Sequence, residues 1–225
     1  MKQKILFTLL GILFFSTTFG QNTKTSETSL DKDLVAILDT IRKEDKQYRL
    51  QSRELEKKYG WDSKENEVLT LFKTIQFTDS IHLVKVEKIL DQKGWLGPDI
   101  VGYYGNVTLF LVIQHADPQT RVKYIPLLRD AVKKGNARPQ DLALMEDRVL
   151  IEKGEKQIYG SQLTMNSETN TMELAPMIDP DNVDKRRSEV GLEPLAEYLK
   201  YDDLTWDVEK FKKRMEVYDS EKNKK

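Results

Sequence analysis

The chain has 225 residues, with 36 Lys and Arg against 37 Asp and Glu, a formal charge of −1 at pH 7 and no cysteine. Its 39% hydrophobic and 32% charged residues are the composition of a globular protein, and the balanced charge runs against nucleic-acid binding, which calls for a strongly basic face. Without cysteine there is no disulfide scaffold, no Cys-ligated zinc or iron–sulfur site, no thiol nucleophile and no lipid-modified cysteine, and two histidines leave little for a metal centre.

The first twenty residues read as an export signal. Lys2 and Lys4 form a positive start, Ile5 to Phe15 is an apolar run, and Ser16 to Gly20 ends in small residues, which predicts cleavage between Gly20 and Gln21. An uncleaved anchor is the alternative, but eleven apolar residues make a helix of only about 16 Å, roughly half the bilayer core. Cleavage leaves 225 less 20, or 205, residues with 34 basic and 37 acidic side chains, a charge of −3. No later segment is apolar for long enough to span a membrane, so the expected location is periplasmic or secreted. Residues 21–28 are Ser/Thr/Lys-rich without apolar period, a flexible leader.

From Ser29, a possible N-cap, Leu30, Leu34, Ile37, Leu38 and Ile41 recur at helical spacing, predicting a helix that ends near Gly60. A second begins after Asp62-Ser63, and Asp79-Ser80 reads as the cap of a third that stops at Gly94. Gly94, Gly97 and Pro98 mark a loop around Trp95. Val107 to Ile113 is almost all apolar, helix or strand by periodicity, and its helical neighbours favour helix. Asp117-Pro118 opens the next helix, Gly135 closes it, and Pro139 and Gly154 bracket another. Lys156 to Met165 alternates, Asn166 to Asn170 is turn-like, and Thr171 to Met177 returns, which predicts a β-hairpin at about 156–177. Short helices follow at about Asn182 to Val190, Leu195 to Tyr201 and Leu204 to Tyr218, then a charged tail over 220–225. The expected fold class is mainly α with a small β-hairpin (α+β): one helical domain over 29–219 with a two-stranded insertion.

Four polar clusters carry the candidate chemistry. Gln114-His115-Ala116-Asp117 follows the most apolar stretch: His115 reads as a general base with Asp117 as its orienter, or Asp117 as a helix cap and His115 as part of a hydrogen-bond network. Asp147-Arg148 lie about 100° apart on a helix, so one of them is free to face the hairpin. In Gln157-Ile158-Tyr159-Gly160-Ser161-Gln162, a strand places Tyr159 and Ser161 on one face and Gly160 and Gln162 on the other, a ligand-facing patch or an edge bulge. In Val183-Asp184-Lys185-Arg186-Arg187, Asp184 and Arg187 are i,i+3 neighbours suited to pairing or to anion recognition.

Taken in order, the Gln-His-Ala-Asp, Asp147-Arg148-Val149, Tyr-Gly-Ser-Gln and Val-Asp-x-Arg-Arg segments, together with Asp45 and Arg49 and the Gly94-Trp95 loop, resemble an uncharacterised bacterial family, domain of unknown function 6624. Ser161 stands where the family more often has Thr, and Leu96 where its loop usually turns at Pro. The resemblance implies that these clusters form one recurring constellation and carries no activity with it.

Catalytic signatures are missing: no Gly-x-Ser-x-Gly elbow, Walker loop, dinucleotide glycine pattern or His-Glu-x-x-His helix occurs. No cofactor is expected. A cation held by His115, Asp117 and Asp184 is a minor reading, and no metal site is assigned. His82 sits in an amphipathic segment with no polar companion in the sequence. Two functions remain: a binding or structural domain whose polar pocket uses Gln114, His115, Arg148, Tyr159, Gln162, Asp184 and Arg187 for an unknown small molecule or protein, and a small hydrolase. The hydrolase would use His115 as base, Asp117 or Asp147 as orienter, and Arg148 or Arg187 to bind an anionic group; a Ser–His version would run through Ser161, which nothing in the sequence marks as activated.

Overall fold

The computed structural model describes residues 30–60, 63–166, 169 and 171–222. Residues 1–29, where the sequence predicts an export signal, a leader and the Ser29 cap, lie outside these, as do Asp62 and the last three residues of the charged tail. The chain divides between Asp141 and Leu142 into two compact units.

The first unit is helical. Helix α1 (Lys32–Tyr59) is capped by Asp31, whose carboxylate accepts the Leu34 N–H at 3.1 Å. Helix α2 (Asn66–Lys93) runs unbroken through Asp79-Ser80, where the sequence predicts a boundary. Neither residue caps anything: the Asp79 carboxylate accepts from Arg49 of α1 at 2.6 Å, and the Ser80 hydroxyl donates to the Phe77 carbonyl. Helix α3 (Pro98–His115) takes up the apolar run, and residues 107–110, 112 and 113 are all buried, which is why the run shows no period. Gly102 kinks it, at φ 71°, a value only glycine adopts without cost. Buried Asn106 fastens the preceding loop, donating to the carbonyls of Leu96 and Asn136, each at 2.7 Å. Asp117 caps helix α4 (Pro118–Lys133), and α5 (Pro139–Glu152) begins in this unit.

The core of this unit lies at one end of the α1–α2 pair. Among the described residues the buried side chains of α1 are Leu34, Leu38 and Ile41, and those of α2 are Ile75, His82, Val86, Ile89 and Leu90. Nothing in α1 after Ile41, and nothing in α2 before Ile75, is buried. Helix α3 ends beside Arg49, and α1 continues ten residues further, about 15 Å. The two helices therefore extend as an arm that no third helix of the unit accompanies.

The second unit comprises the rest of α5, an antiparallel hairpin, and three helices. Strands β1 (Leu163–Asn166) and β2 (Thr171–Leu174) pair in register, Leu163 opposite Leu174 and Met165 opposite Met172. Helices α6 (Val183–Glu189), α7 (Leu195–Leu199) and α8 (Val208–Lys222) complete it, with short 3-10 turns at Pro180–Asn182 and Lys200–Asp202. Leu163, Leu174, Met177, Val183, Leu195, Leu199, Phe211 and Met215 form its core. The strand predicted from Lys156 begins only at Leu163. Residues 158–161 form a turn, with Gly160 at φ 71°, so the alternation of faces expected there does not exist.

Candidate functional site

Both histidines of the chain sit in the helical unit, each against one of two consecutive carboxylates of α1. His82, buried on α2, meets Glu44 at 2.7 Å through Nε2, so it has the polar companion that its own segment does not show. His115, the last residue of α3, has Nδ1 3.3 Å from an Asp45 oxygen and 3.2 Å from an Arg49 nitrogen. Arg49 in turn donates to Asp45 at 3.2 Å and to Asp79 of α2 at 2.6 Å. Asp45 and Arg49 are one helical turn apart on α1, which places both beside the end of α3. This four-residue cluster joins three helices, and its side chains keep 13–27% of their surface in solvent.

The chemistry of the cluster follows from the position of Nδ1 between a donor and an acceptor. With its proton on Nδ1, the imidazole donates to Asp45 and carries its lone pair on Nε2; with Nδ1 bare, it accepts from Arg49 and carries the proton on Nε2. The same partners serve both tautomers. Burial pushes the Asp45 carboxyl upward, but the hydrogen bonds and charges of His115 and Arg49 outweigh it and hold the group below the usual carboxylate range.

Asp117, expected as the orienter of His115, caps α4 instead. It accepts from the Gln119 and Thr120 N–H groups at 2.9 and 3.0 Å and from the Thr120 hydroxyl at 2.6 Å, bonds that lower its pKa. Gln114 is buried, and its carbonyl accepts from buried Arg121, which also bonds the Ala116 carbonyl and ties off the end of α3.

The remaining predicted residues lie in the second unit, around Asp147 of α5. This fully buried carboxylate accepts the N–H groups of Ile158, Tyr159 and Ser161 at 2.7, 3.0 and 3.0 Å, and the Ser161 hydroxyl at 2.9 Å. Burial pushes its pKa upward against the pull of those donors. Buried Arg187 holds the other side of the same turn, donating to the Tyr159 carbonyl at 2.8 Å and to the Glu193 carbonyl at 2.6 Å. The Tyr198 hydroxyl donates to the Ser161 carbonyl at 2.9 Å. The Gln157 side chain reaches the Gln162 and Ala175 carbonyls and accepts the Gln162 N–H, while Gln162 donates to the Ser161 hydroxyl. Arg148 is buried, and Asp184 accepts the Leu195 N–H at 2.7 Å and so starts α7.

The turn from Gln157 to Gln162 is thus held from all sides by side chains of one unit. Gly160 has no room for a ligand: a Cβ there would meet Leu195 and Met177 at 3.1 Å. Ser161 is fully buried and its proton is committed to Asp147, so it is not set up as a nucleophile. Sequence reasoning missed Asp79 as a partner of Arg49 because its neighbour Ser80 made the pair look like a cap. It missed Asp45 as the carboxylate of His115 because the two are distant in sequence.

Among the described residues no group of three or more His, Cys, Asp and Glu side chains has the arrangement to hold a metal ion, and no helix is long and apolar enough to cross a membrane. No curated protein matches the chain, and no solved structure does. Residues 30–210 match a family described as a family of unknown function (DUF6624), a span that takes in both histidine pairs and the Asp147 turn, and the chain belongs to that family.

Proposed function

We propose that the chain is exported, trimmed after Gly20, and acts outside the cytoplasm as a binding protein whose site is the Asp45–Arg49–Asp79–His115 cluster. The observation that carries this reading is His115 Nδ1 lying between Asp45 and Arg49, in a cluster that stays partly open to solvent. Such a site suits a small polar molecule that both donates and accepts hydrogen bonds. The Tyr159–Gln162 turn supports the fold rather than the ligand, because its polar groups are already engaged.

The test is a thermal-shift screen of metabolites, sugars, peptides and divalent ions on wild type, His115→Ala and Gln162→Ala, with circular dichroism to confirm folding. A ligand should stabilise wild type and Gln162→Ala but not His115→Ala. Equal shifts in all three proteins would remove the cluster as the site. Export is tested separately, by sequencing the N-terminus of the protein from the periplasm or medium, which should begin at Gln21.

One observation favours a second reading. The Asp45–His115 contact is the arrangement that orients a general base, so a hydrolase would use Asp45 where Asp117 or Asp147 was expected, acting on a water rather than on a serine. Loss of hydrolysis of an ester, amide or phosphoester panel in Asp45→Asn and His115→Ala would support it, and activity persisting in both would exclude it.

A further inference from the structure

The arm formed by α1 and α2 holds an open groove of about 450 Å³, lined by residues of both helices and by none of the four residues of the His115 cluster. Small-molecule sites have volumes of about 300–1,000 Å³, so the groove is large enough to be one. Tyr48, Leu71 and Thr74 are half-buried and make its floor, while Gln51, Asn66, Glu67 and Thr70 are exposed and make its rim.

The chemistry of this lining selects among ligands. Among the described residues no lysine or arginine lines the groove, which runs against a phosphate or a carboxylate. The one charge in it, Glu67, is answered by Lys58 at 3.8 Å and by the Tyr59 hydroxyl at 3.2 Å, so a cation finds no unpaired carboxylate. A wholly apolar molecule would take water from the rim amides and return no hydrogen bonds. What fits is a neutral molecule with apolar faces and hydrogen-bonding groups around its edge.

The groups on the rim are available for such an edge. The Gln51 and Asn66 amides and the Tyr48 and Thr70 hydroxyls make no hydrogen bond among the described residues, and each can both donate and accept. The Thr74 hydroxyl donates to the Thr70 carbonyl at 3.0 Å and keeps its oxygen as an acceptor. Tyr48 and Leu71 add apolar area on the floor, which the arm leaves uncovered because α1 buries no side chain after Ile41 and α2 none before Ile75. A pyranose ring has this division, with C–H groups on its faces and hydroxyls at its edge. We propose that the α1–α2 groove is a binding site for a neutral saccharide of one or two rings, separate from the His115 cluster.

Saturation-transfer NMR of the full chain with maltose, cellobiose and diacetylchitobiose, each at about 10 mM, should show at least one of them bound with the roughly millimolar affinity of an open site. Tyr48→Ala should weaken that binding at least about tenfold, whereas Tyr48→Phe, which keeps the ring, should stay within about threefold of wild type. Gln51→Ala, at an exposed position, should weaken it about threefold without touching the core, and circular dichroism checks the fold of all three variants. Silence of all three sugars overturns the proposal. So does binding that survives both Tyr48→Ala and Gln51→Ala, or tighter binding of glucose 6-phosphate or trialanine than of any of the sugars.

Discussion

Asp147→Asn is the sharpest single perturbation of the second unit, because one buried carboxylate organises an entire turn. One oxygen receives the Ile158 and Tyr159 N–H groups, and the other receives the N–H and hydroxyl of Ser161. Asparagine has nearly the same shape but offers one oxygen and an NH2, so whichever way it points, a donor faces two donors in a fully buried site. A buried donor left unsatisfied costs about 1–3 kcal/mol, and bonds to a charged acceptor sit at the upper end. Two donors sharing one lost acceptor are not additive, which puts the total at about 2–4 kcal/mol. That is a large part of a typical domain stability of about 5–15 kcal/mol. Urea denaturation gives the magnitude, and amide hydrogen exchange gives the location: exchange at Ile158, Tyr159 and Ser161 should accelerate beyond the global loss. A cost below about 1 kcal/mol, with those three amides as slow as in wild type, would refute the account of the turn.

Further outcomes follow from the same geometry. The folded pKa of Asp45 lies below its unfolded value of about 3.9, so its stabilisation is complete above that value and is lost as pH falls through the folded one; Asp45→Asn should cost about 1–2 kcal/mol at pH 7 and nothing in acid, measured by urea midpoints across pH. Gly160→Ala forces a Cβ into left-handed backbone against Leu195 and Met177 and should destabilise by about 1–3 kcal/mol in thermal melts. Tyr198→Phe leaves the buried Ser161 carbonyl without its hydroxyl donor and should cost about 1 kcal/mol by the same measurement. Asp31→Ala removes the cap of α1, for about 1 kcal/mol and faster amide exchange at Leu34.

Much of the fold is legible locally, because helix ends are written in single residues. Gly94, Pro118 and Gly154 end or start helices where their backbone preferences say they should, and the apolar run at 107–113 resolves to helix by its surroundings. The failures share a cause. Asp-Ser at 79–80 has the chemistry of a cap, and an aspartate will take that role unless a stronger partner is near; Arg49 is that partner, and only the pairing of α1 with α2 supplies it. The alternation from Lys156 looks like a strand because polar and apolar residues also alternate around a turn whose amides converge on one carboxylate. For the site, the Gln-His-Ala-Asp segment pointed to His115, yet the Asp45 and Arg49 groups it meets lie on α1 and reach it only once the helices pack.

The bonds that close the second unit have an order in time. Its anchors join Asp147 to Ser161, Tyr159 to Arg187, Ser161 to Tyr198 and the Leu174 carbonyl to Arg214, each reaching further toward the C-terminus. Local contacts form fast and distant ones slowly, and a chain emerging from the ribosome can use only what has already been made. The helical unit has its partners by residue 141, whereas this unit still lacks the Arg214 bond until residue 214 has emerged, and the bonds of Asp219 to Lys156 and of Lys222 to the Gly154 carbonyl come later still. A chain stopped a few residues short of Arg214 would therefore hold a finished first half and a second half unable to lock.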